Sequence, residues 1–107
     1  FIEGLEMECS NMGITSIEYI PNNILFLYCA NNKLTQLPKL PERLKRLDCD
    51  NNKISILPML PDSLKFLCCW GNKFIEPKDT TDKQWFIKHN KLLNRSNTIK
   101  SILHDNN

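Results

Sequence analysis

At 107 residues the chain amounts to one domain, and its 15 Leu and 11 Ile allow a small core. Fourteen basic against 12 acidic residues leave a net charge of +2, which excludes a basic nucleic-acid footprint and argues against intrinsic disorder. No apolar run reaches the roughly 18 residues of a membrane helix, so no membrane association is expected. The chain opens at Phe1 without an initiator Met, so it reads as trimmed or as part of a larger protein. Asn, Lys and Ile together make about a third of it, which fits an AT-rich genome.

Four segments in chain order share one register of 20 residues. The first is degenerate: Met7, Cys9, Ile14, Ile17, Ile20 and Pro21 keep the register, but Gly4 and Met12 replace an aliphatic residue and an Asn. The second runs from Ile24 through Leu27, Cys29, Asn32, Leu34, Leu37, Pro38 and Leu40 to Pro41. The third repeats it from Leu44 through Leu47, Cys49, Asn52, Ile54, Leu57, Pro58 and Leu60 to Pro61. The fourth carries Leu64, Leu67, Cys69, Asn72 and Phe74 before the pattern stops.

In each copy the Leu-x-Cys pair, Met7-x-Cys9 in the first, is spaced as on a strand with one buried face. Short parallel strands are predicted near 5–9, 25–29, 45–49 and 65–69, stacked so that neighbouring copies bury each other's apolar columns. An inward Asn after each strand can bond loop backbone groups that would otherwise be buried unpaired. Two prolines per copy leave the return legs extended rather than helical.

With Leu37-Pro-Lys-Leu-Pro41 and Leu57-Pro-Met-Leu-Pro61 in view, the chain resembles the leucine-rich repeat proteins. The likeness is to the short-repeat class, typical of secreted bacterial effectors and of the repeat domains of effector ubiquitin ligases. It covers about residues 4 to 77. The resemblance implies a mainly β solenoid, a leucine-rich repeat horseshoe with its strands on the concave face, and it implies partner binding. Two features depart from the class: Cys stands where Leu or Val is usual, and there is no room for a ligase domain.

The organisation expected is therefore a solenoid over 1–77 and a C-terminal helical cap and tail over 78–107. Thr81-Asp-Lys-Gln84 fits a capping box. A helix is predicted over about 82–93, with Trp85 and Leu92, and Phe86 and Leu93, sharing a face. Asn94, Ser96 and Asn97 should interrupt it, and Ile99, Ile102 and Leu103 suit a second short helix, with frayed residues from His104 to Asn107. The tail covers the open end of the array; the alternative is a helix that docks another protein.

Cys9, Cys29, Cys49 and Cys69 stand 20 residues apart and so form one inward column of core thiols. A metal site would need converging ligands, and adjacent-strand disulfides are the other alternative. No metal or other cofactor is expected. Free thiols suit a reducing compartment, the cytoplasm, or a host's cytoplasm if the source is a virus or a secreted effector. Cys68 should point outward beside Trp70 as an exposed bystander thiol, with both histidines, His89 and His104, far away in the tail. The sequence holds no paired carboxylates at catalytic spacing, no Gly-rich phosphate loop and no nucleophile motif, so a non-enzymatic protein is expected.

The outward positions fall into columns: Glu6, Phe26, Arg46, Phe66; Glu8, Tyr28, Asp48, Cys68; Ser10, Ala30, Asp50, Trp70; and Asn11, Asn31, Asn51, Gly71. Lys33, Lys53 and Lys73 form a solvated row on the rim. Outward aromatic residues around an Arg have the composition of an interface anchor. The candidate partner-binding residues are Phe26, Tyr28, Arg46, Asp48, Phe66 and Trp70, and the expected partner is a protein or peptide. Two other readings stay open: the recognition portion of a larger effector, and weak self-association through the edge near Phe1 to Leu5.

Overall fold

The second proline of each copy starts a tight turn. The amides of Ile24, Leu44 and Leu64 donate to the carbonyls of Pro21, Pro41 and Pro61 at 3.1, 3.2 and 3.0 Å. Each turn feeds a strand in the computed structural model, which describes residues 5–74 and 79–105, and of these only the backbone at 79–80 and 96–105. The edge expected near Phe1 therefore lies, up to Gly4, outside the described residues.

The strands are β1 (Leu5–Glu8), β2 (Ile24–Tyr28), β3 (Arg46–Asp48) and β4 (Phe66–Cys68), joined side by side as a parallel sheet. Their register is the 20-residue register: Leu27 pairs with Leu47 and Leu47 with Leu67. The ladder runs past each strand, with Cys9, Cys29 and Cys49 donating to the carbonyls of Tyr28, Asp48 and Cys68 at 2.8 Å. The segments between Leu34 and Pro41 and between Ile54 and Pro61 contain neither helix nor strand, as two prolines in each demand. This four-stranded parallel sheet with a C-terminal helix is compatible with a solenoid-like arrangement.

The core lies on one side of the sheet. Leu27, Leu34, Leu44, Leu47, Ile54, Leu64 and Leu67 are fully buried, and the thiols of Cys9, Cys29, Cys49 and Cys69 pack with them. All five cysteines are free. The first copy is looser: Met7, Ile14 and Ile17 are only partly buried against the cluster.

Asn32, Asn52 and Asn72 join the copies by polar bonds. Asn52 Nδ2 donates to the carbonyls of Cys29, Cys49 and Asp50 at 3.0, 3.1 and 3.2 Å, and its Oδ1 accepts from Leu34 N at 3.0 Å. Asn32 and Asn72 repeat the set, reaching back to Cys9 and Cys49 at 2.9 Å. Immediately before them Asn31, Asn51 and Gly71 have φ of 57, 55 and 71°, and Asn11, before Met12 in the first copy, has 60°. This left-handed column turns the chain out of the sheet, and Asn and Gly enter that conformation at least cost. A Cβ at Gly71 would overlap Asn51 Oδ1.

The end of the chain departs from expectation in three ways. A two-residue strand, β5 (Asp79–Thr80), adds antiparallel to β4, with Cys68 opposite Asp79. The helix is single and continuous, α1 (Lys83–Asp105), through Asn94, Ser96 and Asn97. Those residues disfavour a helix interior by only about 0.5 kcal/mol each, and no Gly or Pro lies between 83 and 105 to break it. His104 and Asp105 are helical rather than frayed, while Asn106 and Asn107 lie outside the described residues, as do the side chains of Ile99, Ile102 and Leu103.

The capping residue is Asp82, not Thr81: Asp82 Oδ1 accepts from Gln84 N and Trp85 N at 2.9 and 3.3 Å. Of the expected apolar face, Phe86 completes the core, Trp85 packs against it and Leu93 is half-buried, while Leu92 is 58% exposed and departs from it. Polar residues do the rest. Asn90 accepts from Leu60 N and donates to Leu60 O, both at 2.8 Å. His89 Nε2 lies 3.2 and 3.1 Å from the carbonyls of Leu57 and Pro58, so it carries the proton, and its ring stacks on Trp85.

The 20-residue register persists into the helix. The Ser63 hydroxyl lies 2.9 and 2.7 Å from the carbonyls of Glu42 and Leu44, and Lys83 Nζ donates to the matching carbonyls of Asp62 and Leu64.

Candidate interaction surface

Opposite the core, the parallel register lays outward side chains in rows. Phe26, Arg46 and Phe66 are register partners across β2, β3 and β4, and so are Tyr28, Asp48 and Cys68. Glu6 and Glu8 of β1 extend the two rows beside Phe26 and Tyr28. Strands lie about 4.8 Å apart, so each row is a closely spaced line of side chains. Five of the six candidate residues are half-buried on the sheet, and Trp70, just past β4, is 50% exposed.

Arg46 organises the centre. Its guanidinium carbon stands 4.4 Å from the Phe66 ring centroid and 5.9 Å from that of Tyr28, and its Nη2 lies 3.8 Å from Cys68 Sγ. Its Nε is buried and has no hydrogen-bond partner among the described residues. The guanidinium is thus held by stacking on aromatic faces.

That contact corrects the expectation for Cys68. The residue is 7% exposed, a buried thiol rather than an exposed bystander. The outward direction was read correctly, but Arg46 leans over the sulfur from the neighbouring strand and β5 pairs along the other side.

The acidic residues are fixed by their own turns. Ser10 N donates to Glu8 Oε1 at 2.8 Å, and this bond with the Ser10 hydroxyl holds the Glu8 carboxyl below the usual carboxylate range. Asp50 N approaches Asp48 Oδ1 at 3.4 Å, and Trp70 N donates to Asp50 Oδ1 at 2.6 Å. Beneath the sheet, burial pushes the Cys29 thiol up to about 12 and the Cys49 thiol well above its ordinary value. Cys9 is raised too, by burial first and then by the Glu8 charge. Neutral thiols of this kind are poor nucleophiles and poor metal ligands. Among the described residues, no three His, Cys, Asp or Glu side chains group to hold a metal ion, and no helix is long and apolar enough to cross a membrane.

The sequence reading placed the six candidate residues on one surface, and the sheet does bring them together. It missed the Arg46–Cys68 contact, because stacking over a neighbouring strand has no signature in spacing. The left-handed column did have one, since Asn, Asn, Asn and Gly at a single register position are the residues that tolerate positive φ. Neither the protein-family models nor the curated protein sequences compared with the chain match it.

Proposed function

We propose that the chain is a short-repeat leucine-rich repeat solenoid that acts as a non-enzymatic binding module for a protein or peptide. Its binding surface is the outer, concave face of the sheet, centred on Phe26, Tyr28, Arg46, Asp48, Phe66 and Trp70. The observation that carries the reading is the surface itself: three aromatic residues and an Arg on consecutive strands, with Trp70 just past β4, opposite a filled core. Interface anchors are drawn from Trp, Tyr and Arg seated in partly apolar surroundings. The 20-residue hydrogen-bond pattern of the Asn column supports the repeat assignment.

The test is a pull-down from cell extract with the wild-type chain and with Tyr28→Ala and Trp70→Ala. Both side chains lie outside the core, so both variants should keep the wild-type circular dichroism spectrum. Truncating an anchor should weaken capture by more than about 2 kcal/mol, while Lys53→Ala on the rim should leave it unchanged. Retention of every captured protein by both folded variants would sink the assignment.

A further inference from the structure

Tyr28 is flanked, in register, by a carboxylate on each neighbouring strand: Glu8 on β1 and Asp48 on β3. The strand spacing sets each carboxyl-bearing residue about 5 Å to one side of the tyrosine. Glu6 adds another exposed carboxylate on β1. Arg46 reaches the Tyr28 ring, 5.9 Å from its centroid, but among the described residues it forms no ion pair with Glu8 or Asp48. Arg46 sits closer to the Phe66 ring than to Tyr28, and its Nη2 approaches Cys68 on β4. The groups that donate to Glu8 and Asp48, the Ser10 amide and hydroxyl and the Asp50 amide, belong to their own turns and are uncharged, so they fix orientation without neutralising the carboxylates. Among the described residues neither carboxylate forms an ion pair.

We infer that this face takes a lysine or arginine side chain of an extended protein segment, seated over the Tyr28 ring between Glu8 and Asp48. The inference rests on the binding-face reading and adds the chemistry of the partner. A cation over an aromatic face is attracted by the ring's quadrupole, and carboxylates on both sides supply the complementary charge. Overall charge cannot explain such a preference, because the chain is net positive, at +2. The attraction is local to β1, β2 and β3. The aromatic side chains of Phe26 and Phe66, one row away, offer apolar contact to the flanking residues of the same segment.

The experiment uses the full chain and three fluorescein-labelled synthetic peptides read by fluorescence anisotropy. The first alternates Arg with Thr, the second replaces each Arg by uncharged citrulline, and the third replaces it by Glu. The Arg peptide should bind about tenfold or more tighter than the citrulline peptide, with the Glu peptide weakest. Tyr28→Ala, and Glu8→Gln combined with Asp48→Asn, should each cost about tenfold in affinity for the Arg peptide, whereas Tyr28→Phe should keep it.

Equal binding of the Arg and citrulline peptides would overturn the inference, as would no binding of the Arg peptide. So would Arg-peptide binding that Tyr28→Ala leaves untouched, which marks unspecific charge attraction. A partner captured from extract separates the two levels. If its capture is lost with Tyr28→Ala but withstands Glu8→Gln with Asp48→Asn, the binding face stands and the cation assignment falls. Capture that survives all these variants and Trp70→Ala removes both.

Discussion

Asn52 is 6% exposed and bonded on both ends of its amide, so two substitutions of it separate polarity from shape. In Asn52→Ala, the Leu34 amide loses its acceptor. The three carbonyls do not become orphans. Cys29 O keeps Asn32 Nδ2 at 3.1 Å, Cys49 O keeps Asn72 Nδ2 at 2.9 Å, and Asp50 O keeps Asn31 N at 2.8 Å. One buried donor left unpaired costs about 1–3 kcal/mol. Asn52→Asp has nearly the wild-type shape but puts an oxygen where Nδ2 faced those three carbonyls. As a neutral acid it keeps the Leu34 bond and donates one O–H; as a carboxylate it is buried against acceptors.

The introduced carboxyl therefore has a folded-state pKa above its unfolded value of about 3.9, by up to about 3–5 units for a fully buried group. As pH rises, the unfolded chain releases its proton first. The stability of Asn52→Asp is thus fully present below pH about 4 and is lost as pH climbs through the folded-state pKa. A shift of about three units corresponds to about 4 kcal/mol. Urea unfolding of wild type and variant at pH about 3.5 and about 7, extrapolated linearly to water, measures it. The Asp variant should match Asn52→Ala roughly at the lower pH and fall several kcal/mol below it at the higher. An Asp variant with the same deficit at both pH values would show that the amide nitrogen does not face the carbonyls.

The thiol column predicts an alkaline limit. Cys29 rises from 9.0 to about 12, so the unfolded chain deprotonates first, stability holds below pH about 9, and it falls as pH approaches about 12. Cys29→Ala should flatten that fall in denaturant titrations at pH about 8 and about 10.5, and an unchanged slope would contradict the burial argument. Thiol reagents should find all five cysteines slow in the folded chain, Cys68 included, and reductant should not shift the melting temperature. Gly71→Ala should cost about 1–2 kcal/mol from its positive φ alone, while Asn51→Gly should be nearly neutral in the same denaturation assay. Phe86→Ala should cost about 3–5 kcal/mol, and Asp82→Ala about 1 kcal/mol, with thermal unfolding checking the order.

The strands and the thiol column were legible because each is a one-dimensional pattern: period 2 within a copy and period 20 between copies place Leu27, Cys29, Leu47 and Cys49 without knowledge of anything else. What escaped depends on three-dimensional company. Spacing gave the direction of Cys68 but could not show that Arg46 would lie over it. β5 is two residues long and exists through its pairing with β4. The continuity of α1 was misread because Asn94, Ser96 and Asn97 look like a stop, yet weak propensities yield where neither Gly nor Pro intervenes. On the packed side of α1 the apolar pattern pointed to Trp85, Phe86 and Leu93 but passed over His89 and Asn90, which face the same side to satisfy backbone groups.

The repetition of Ser63's bonds by Lys83 bears on how such a chain can grow. The terminal helix engages the fourth copy through the same two carbonyls that the third copy offers to Ser63, so a duplicated copy would regenerate its docking site. Duplicating one 20-residue segment, such as 42–61, would carry the helix outward by one strand spacing, about 4.8 Å, without redesign of the joint. Unequal crossing-over inside the gene can therefore lengthen the array in one step. The row of outward side chains, and with it the reach of the molecule, becomes a quantity that copy number can tune.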